Sequence, residues 1–423
     1  MFIEGNFGKL TIIIRVHNKS VSVFIIKEND VIIGVTRELV TGEKRVSLCP
    51  DNVQSLVKAG ADLWVEQNAG LQAGFSDENY QSVGAKIISN RDVLFAKADI
   101  ILQVQSFGSN TDNYQDDLKR LRPRQLVIGM MDPLAQPQAA QQVADTGATA
   151  VALEMVPRIS RAQSMDVLSS MATLAGYRSV LLGAEAAPRI LPMLMTAAGT
   201  LQPARVLIMG VGVAGLQACA TAKRLGAVVE AYDVRPAARE QIISVGATPV
   251  ELDLPTESSE GAGGYAKQQS EEFLRLQREL MTEVVARQDI IITTAAVPGA
   301  KSPILVTEDM LKAMKAGSVV VDLAAERGGN CELTKMGQTT VEHGVTILGP
   351  ENLASDVACH ASQMYGKNIQ TLLELILQDG NINLDFDDEI VAGTVVAHDG
   401  EVPHPHMRKL LNLPSLDIEQ HCK

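Results

Sequence analysis

The chain has 423 residues, 46% of them hydrophobic and 21% charged, with a formal net charge of −13. This is the composition of a globular protein, and the length suits two domains that each bury a core. The negative charge argues against nucleic acid and anionic membrane surfaces as direct partners, because the long-range field repels polyanions, but a local pocket can still hold a dinucleotide.

Two β-like stretches, residues 10–16 and 21–26, precede the main pattern. They fit either an additional hairpin or an N-terminal extension with little structure. From residue 31, short apolar strands alternate with helical patterns. Runs of Val, Ile and Leu without polar alternation are typical of strands covered on both faces, as in a parallel α/β sheet. The first series predicts strands at 31–35, 63–66, 99–104, 125–130 and 149–153, with a helix at 50–59.

A second series of elements lies between two long helical patterns. We therefore expect the chain to leave the first domain and later return to it. The predicted fold is α/β, with two Rossmann-like doubly wound domains, parallel sheets and a discontinuous first domain. The predicted helices are 166–186 and 354–378, and the strands between them 205–209, 228–232, 289–293, 318–322 and 345–348. The expected bounds are 1–30 for the extension, 31–165 plus 355–405 for the first domain, 166–354 for the second and 406–423 for a C-terminal tail.

The second series also contains a long stretch rich in glycine and charge, residues 257–272. A loop of this length inside a compact domain is either a functional lid or disordered. Its single aromatic residue, Tyr265, favours the lid.

The sharpest motif is the GxGxxG formed by Gly210, Gly212 and Gly215, between the strand at 205–209 and a predicted helix at 216–225. In a strand–turn–helix context the first glycine permits a tight turn and the second lets backbone N–H groups approach a pyrophosphate. The third lets the helix pack on the strand. The helix N-terminus favours the phosphates. A turn without a ligand explains this context less well, so the second domain is predicted to bind NAD.

Asp233 follows the next strand, at the place where an acidic residue binds the adenosine ribose in NAD-binding domains. It favours NAD(H) over NADP(H), because its charge repels a 2′-phosphate. Arg235 argues the other way, since an arginine there can accommodate the phosphate. We favour NAD(H).

A polar cluster before the long helix contains Arg158, Gln163, Asp166 and Ser169. Together these side chains offer the donors and acceptors that a nicotinamide carboxamide needs. An ordinary capped helix start with Ser164 as N-cap explains some of the cluster equally well. The turn at 293–299 ends another strand and either borders the cofactor or is an ordinary βα loop.

Cysteines and apolar runs restrict the remaining site classes. The five cysteines are scattered, odd in number and without a CxxC pair, so neither a disulfide framework nor a metal site is expected. No apolar run reaches the roughly 18 residues of a membrane span. We expect a cytoplasmic protein without a direct membrane span.

These motifs resemble domain I of the proton-translocating NAD(P) transhydrogenases, the NAD(H)-binding region of their alpha subunit. The matching stretches are 158–169, 210–215, 232–235, 263–266, 322–324 and 328–331, in order, and the likeness runs from about residue 32 to 402. It implies catalytic roles at the nicotinamide end for Arg158, Gln163, Asp166 and Ser169. It implies cofactor binding by Arg158, Ile159, Ser160, Gln163, Gly210, Gly212, Val213, Gly215, Asp233, Val234, Arg235, Gly264, Tyr265, Gln277, Ala296 and Pro298.

The resemblance also implies an assembly. The chain would form a homodimer with a membrane-embedded subunit and an NADP(H)-binding subunit as partners. Hydride would pass between NAD(H) on this chain and NADP(H) on the partner domain, Re/Si-specifically and coupled to proton translocation. Because the sequence stops at Lys423, a separate membrane subunit is expected, with this chain peripheral on the inner membrane face.

Two other functions fit the same motifs. Alanine dehydrogenases share the start of the chain, but their substrate lysine and histidine are missing from the stretches 99–105 and 125–132, and Glu326 replaces their aspartate. An amino-acid dehydrogenase without these groups lacks its acid–base machinery. A nucleotide-binding regulator without catalysis also remains open.

Overall fold

The structure is a computed structural model, and it describes residues 2–7, 10–17, 20–27, 31–111, 113–252, 271–296, 299–378 and 380–415. The chain divides into two compact units. The first comprises Met1–Val40, Val46–Pro157 and Gly366–Lys423, and the second Thr41–Arg45 and Arg158–Tyr365. Most of the predicted lid, including Gly264 and Tyr265, lies outside the described residues, as does Pro298.

The N-terminal residues form strands, as the hairpin interpretation has it. β1 (Phe2–Phe7), β2 (Leu10–His17) and β3 (Ser20–Lys27) make a three-stranded antiparallel sheet in that order. The β-branched residues of β2 and β3 favour extended backbone. β1, with glycine and asparagine in its sequence, gave no strand signal.

The first unit contains all five strands predicted from the first series, each to within one residue at either end. Its elements up to this point are β4 (Ile32–Val35), α1 (Pro50–Lys58), β5 (Asp62–Glu66), α2 (Asp77–Ser82), β6 (Lys86–Ile88), α3 (Arg91–Lys97), β7 (Ile100–Gln105), α4 (Tyr114–Arg120), β8 (Leu126–Met130), α5 (Pro137–Asp145) and β9 (Thr149–Ala152). The pattern missed β6, because this short strand is partly exposed and has no buried apolar run.

The second unit contains the predicted second series and several shorter elements. In chain order they are α6 (Val167–Ala186), β10 (Leu194–Thr196), β11 (Gly199–Leu201), β12 (Arg205–Met209), α7 (Val213–Arg224), β13 (Val228–Tyr232), α8 (Ala238–Ser244), β14 (Thr248–Pro249), α9 (Glu271–Ala286), β15 (Ile290–Thr293), α10 (Glu308–Ala313), β16 (Val319–Asp322), β17 (Thr339–Glu342) and β18 (Val345–Leu348). The start predicted for α7 at residue 216 was wrong, because the helix begins directly behind Gly212.

The chain then returns to the first unit. The elements are α11 (Ala358–Ile376), β19 (Leu377–Gln378), β20 (Asn381–Ile382), α12 (Glu389–Thr394), β21 (Val395–Ala397) and α13 (Pro405–Leu410). The helix predicted at 354–378 is therefore shorter. Its first residues form a 3-10 turn, Leu353–Val357, and its last two pair with β20.

Each unit is built on a seven-stranded sheet with the same arrangement of its first strands. The orders are β21-β9-β8-β7-β4-β5-β6 in the first unit and β14-β13-β12-β15-β16-β18-β17 in the second. All neighbours pair in parallel except β21 with β9 and β17 with β18. The predicted fold of two doubly wound parallel sheets, with a discontinuous first domain, is confirmed. In such sheets ligands bind beyond the carboxyl ends of the strands, where the strand order reverses. This point lies between β4 and β7 in the first unit and between β12 and β15 in the second.

Candidate functional site

The glycine-rich turn lies at the switch point of the second unit, directly after β12. Gly210 has a φ of 91°, in the left-handed region that favours glycine, and a Cβ there would lie 2.8 Å from the Ala295 amide nitrogen. A Cβ on Gly215 would collide with the Gly210 carbonyl oxygen. At Gly212, by contrast, nothing lies within 4 Å of the Cβ position. Two of the glycines are thus required by packing, and the third leaves open space above the turn.

The first turn of α7 lies behind that open space. Gly212 is its N-cap, and the carbonyl oxygen of Gly212 accepts the N–H of Leu216 at 2.9 Å. The preceding N–H groups of a helix have no partner within the helix, and they carry the positive end of its dipole. Val213 is 43% exposed, so the helix start is open to solvent. The arrangement suits the phosphates of a dinucleotide.

The carboxylate of Asp233 lies against the same turn. Its Oδ2 accepts the N–H of Val211 at 2.7 Å, and its Oδ1 accepts the N–H and Nε–H of Arg235, both at 2.9 Å. Arg235 Nη2 also donates to the Val211 carbonyl oxygen at 3.1 Å. Val234, between them, is partly buried and packs against the core of the sheet. The residue predicted to bind the ribose therefore stands beside the predicted phosphate site and also holds Arg235.

The turn after β15 borders the glycine-rich turn from the other side. The Thr294 hydroxyl donates to the Gly210 carbonyl oxygen at 2.7 Å, and the Thr294 N–H donates to the Met209 carbonyl oxygen at 2.8 Å. Ala296, two residues on, is exposed. Of the two interpretations of this turn, the contacts favour a border of the cofactor site.

A buried carboxylate and a buried amide hold this border in place. Asp322, at the end of β16, is fully buried and accepts hydrogen bonds from Thr293 Oγ1 and from the backbone N–H of Asn330, at 2.9 and 2.8 Å. The side chain of Asn330 in turn binds both the N–H and the carbonyl of Ala295. The sequence marked both residues only within a family motif. Their partners lie 29 and 35 positions away, too far for a sequence pattern to connect them.

The polar cluster before α6 is a 3-10 helix, Ser160–Met165, followed by a capped helix start. The cap is Asp166, whose carboxylate accepts the Ser169 N–H at 2.9 Å and the Ser169 hydroxyl at 2.6 Å. The alternative with Ser164 as N-cap was wrong, because Ser164 lies inside the 3-10 helix. Asp166 and Ser169 thus have a structural role together, while the side chains of Arg158 and Gln163 are exposed.

The start of α6 is linked to the start of α7 by helix packing. A Cβ on Gly176 would collide with the Ala214 backbone, so the two helices touch there at backbone distance. Both helices contribute to one buried cluster with β12, which includes Val180 and Ala218. The polar cluster and the glycine-rich turn therefore belong to one rigid helix pair of the second unit.

Comparison with known proteins bears on this site. The domain models "Alanine dehydrogenase/PNT, N-terminal domain" and "Alanine dehydrogenase/PNT, C-terminal domain" match residues 34–175 and 179–405. The chain is 43% identical to an NAD(P) transhydrogenase alpha subunit of Rhodospirillum rubrum, over 88% of this chain and 98% of that protein. This chain belongs to the family of NAD(P) transhydrogenase alpha subunits.

Structure and a more distant relative agree with this assignment. The crystal structure of transhydrogenase from Sinorhizobium meliloti matches with a TM-score of 0.76 and 41% identity, covering 89% of this chain and 99% of that one. Alanine dehydrogenase of Bacillus subtilis is 29% identical over 77% of this chain and 80% of that protein. The resemblance to transhydrogenase alpha subunits is confirmed, and alanine dehydrogenase is the more distant relative.

Other groups near the transhydrogenase-like site add little reactive chemistry. Burial raises the pKa of the Cys331 thiol to about 11, so this thiol is neutral at pH 7 and a poor nucleophile. Within the described ranges, no group of three His, Cys, Asp or Glu side chains is placed to hold a metal ion, and no helix is long and apolar enough to cross a membrane. Of the remaining predicted residues, Gln277 lies on α9.

Proposed function

We propose that this chain binds NAD(H) in the second unit and acts as the NAD(H) subunit of a proton-translocating transhydrogenase. The observation that carries the proposal is the open space at Gly212, with the first turn of α7 behind it and Asp233 beside it. When bound, NAD(H) supplies or accepts the hydride that is exchanged with NADP(H) on a partner domain. Re/Si-specific transfer and coupling to proton movement belong to the proposal.

The chain's own residues would mainly bind and orient. Backbone N–H groups from Gly212 to Ala214 would hold the pyrophosphate, which needs no side chain. Asp233 would accept hydrogen bonds from the adenosine ribose. Ile159 and Ser160 would line the site beside the donors and acceptors of Arg158 and Gln163, which would orient the nicotinamide. Direct hydride transfer asks a protein for positioning more than for acid–base groups, in line with this set of residues.

The partners follow from the names of the relatives. Since the similar protein from Rhodospirillum rubrum is named as an alpha subunit, we propose that this chain also works with other subunits. These would be an NADP(H)-binding subunit and a membrane-embedded subunit, with this chain as a homodimer on the inner membrane face. The domain bounds 31–165 plus 355–405 and 166–354, Gly264, Tyr265, Gln277 and Pro298 as site residues, and a lid closing over the nucleotide belong to the same proposal.

A reconstituted transfer assay tests this function. The purified chain is mixed with an NADP(H)-binding partner domain and NADPH, and reduction of an NAD⁺ analogue is followed by absorbance. We expect transfer that requires both proteins. Binding of NADH without any transfer would favour a nucleotide-binding regulator. Formation of NADH that depends on L-alanine would instead favour an amino-acid dehydrogenase.

Gln163→Asn tests the nicotinamide end of the site. Shortening this exposed side chain by one methylene leaves the phosphate and ribose contacts intact but displaces the amide. We expect NADH affinity within about threefold of the native value and a transfer rate lower by about 100-fold, since a displacement of about 1 Å has that effect on reacting groups. A native transfer rate would reduce residues 160–165 to the structural element before α6.

A further inference from the structure

The backbone of Ala295 is held by a single side chain. Asn330 Oδ1 accepts the Ala295 N–H at 3.0 Å, and Asn330 Nδ2 donates to the Ala295 carbonyl oxygen at 2.8 Å. The same Nδ2 donates to the Pro303 carbonyl oxygen at 2.8 Å. The Asn330 side chain is fully buried. Both polar groups of Ala295 are therefore fixed by an amide of matching shape.

Asn330 is itself held rigidly. Its N–H donates to Asp322 Oδ2 at 2.8 Å, and its carbonyl oxygen accepts the N–H groups of Leu305 and Val306 at 2.7 and 3.0 Å. Asp322 Oδ2 also accepts the Cys331 N–H at 2.9 Å. Asn330 cannot move without breaking buried hydrogen bonds, each of which is costly to leave unmade.

The held backbone leads directly to the proposed cofactor site. Its chain neighbour Thr294 donates to the Gly210 carbonyl oxygen at 2.7 Å, so the turn is fixed to the glycine-rich turn on one side and to Asn330 on the other. The next residue, Ala296, is exposed at the mouth of the site. The position of Asn330 therefore sets the position of the Ala295–Ala296 backbone relative to Gly210.

From this geometry we infer that Asn330 is a positioning residue for hydride transfer. It acts through the Ala295–Ala296 backbone, which fixes how deep the nicotinamide half of the nucleotide sits, and it does not touch the nucleotide itself. The inference rests on the proposed function. It separates binding from transfer: the phosphate and ribose contacts do not involve Asn330, whereas the approach of the two nicotinamides depends on the turn that it holds.

Three readouts on Asn330→Ala and Asn330→Asp test this role. Hydrogen exchange at the Ala295 amide, measured on the nucleotide-free chain, should be faster in Asn330→Ala. The dissociation constant for NADH, from fluorescence titration, should stay within about threefold of native. The rate of hydride transfer with the NADP(H)-binding partner should fall about 30- to 100-fold in both variants, as for displaced reacting groups. Asn330→Asp keeps the size of the side chain but replaces the amide donor by an acceptor that faces two carbonyl oxygens.

The control is Thr307→Ala, which removes the N-cap hydrogen bond to the Met310 N–H on α10, a structural contact outside the site. It should lower stability and leave all three readouts at native values. Equal transfer rates in native chain and Asn330 variants would overturn the inference, as would a loss of NADH affinity that accounts for the whole loss of rate. If the Asn330 variants do not fold, Thr294→Val frees the other side of the turn and must show the same separation of binding from rate. Failure of the native chain to transfer hydride would refute the proposed function instead.

Discussion

The two sheets share one strand order, but the ends of their strands carry different chemistry. In the second unit the turn after the first strand is glycine-rich, and the Gly212 position opens to solvent. In the first unit the corresponding turn leads to Glu38, whose carboxylate accepts the N–H groups of Val104 and Gln105 at 2.7 and 2.9 Å. The main-chain donors at that switch point are thus occupied by the chain's own carboxylate. The topology fixes where a crevice forms, and the residues of the turn decide whether a ligand can enter it.

Buried charge reinforces the difference. In the first unit Arg91 donates to Glu66 at 2.5 Å and to Asp117 at 2.6 Å, and Gln103 donates to Asp117 at 3.0 Å. These groups satisfy one another and leave no donor pointing at a dinucleotide among those named. In the second unit the sole ion pair described beside the turn, Asp233 with Arg235, lies at the place predicted for the ribose.

The largest expected effect comes from filling the open position. Gly212→Val places a side chain where nothing lies within 4 Å, on backbone with a φ of −78° that any residue adopts. We expect NADH affinity to fall about 100-fold, or about 2.8 kcal/mol, because the pyrophosphate can no longer approach the backbone. Stability should fall by only about 1 kcal/mol, the cost of a poorer N-cap. The measurements are fluorescence titration and thermal unfolding.

Gly215→Ala is the matched counterpart, since its Cβ collides with the Gly210 carbonyl oxygen. It should lose the folded second unit itself. Equal loss of stability in both variants would mean that the open space at Gly212 serves folding and not a ligand.

Removing the carboxylate from the first switch point should act on stability alone. Glu38→Ala deprives the Val104 and Gln105 N–H groups of their acceptor, which costs about 1–3 kcal/mol for buried donors. Chemical denaturation should show that loss, while NADH affinity stays within about twofold, since Glu38 belongs to the unit without the glycine-rich turn. A second equivalent of bound NADH, or a large loss of affinity, would contradict the contrast between the two sheets.

Asp233→Ala is expected to weaken NADH binding about tenfold, the size of a lost hydrogen bond to a charged group. It also releases Arg235 from its carboxylate partner, so the ratio of NADPH to NADH affinity should rise. In the double variant with Arg235→Ala that rise should disappear. Unchanged NADH affinity in fluorescence titration would remove Asp233 from the site.

The smallest effect concerns a second carboxylate on the first sheet. Glu154 Oε1 accepts the N–H groups of Met131 and Asp132, both at 2.8 Å, while its buried Oε2 has no partner among the described residues. Burial raises the pKa of Glu154 to about 7, although these two N–H groups act in the other direction. A carboxyl pKa above the unfolded value means that the group lowers stability as the pH rises from about 4.5 to 7.

Glu154→Gln removes this titration while it keeps the acceptor. The unfolding free energy of the variant relative to native should therefore increase by about 1 kcal/mol between about pH 4.5 and pH 8, a discounted value for a partly buried group. Denaturation at both pH values measures it. A parallel pH dependence in the two proteins would mean that Glu154 is charged throughout.

Sequence patterns predicted the two sheets well, because continuous buried runs such as β7 and β16 have few other uses. They also predicted the glycine-rich turn, whose signal is local. They failed where the determining contact is distant or the element is short. The cap at Asp166 was given to Ser164, since both residues suit an N-cap and only the 3-10 turn before the helix decides. The roles of Asp322 and Asn330 depend on contacts across the sheet, and no local pattern shows those.

Hydrogen exchange with and without NADH tests the central claim most directly, since it reports both sheets in one experiment. The account predicts that NADH slows exchange of backbone amides at residues 212–215, behind the open glycine, and leaves Val104 and Gln105 of the first unit unchanged. No change at 212–215 under saturating NADH, or protection confined to the first unit, would contradict it.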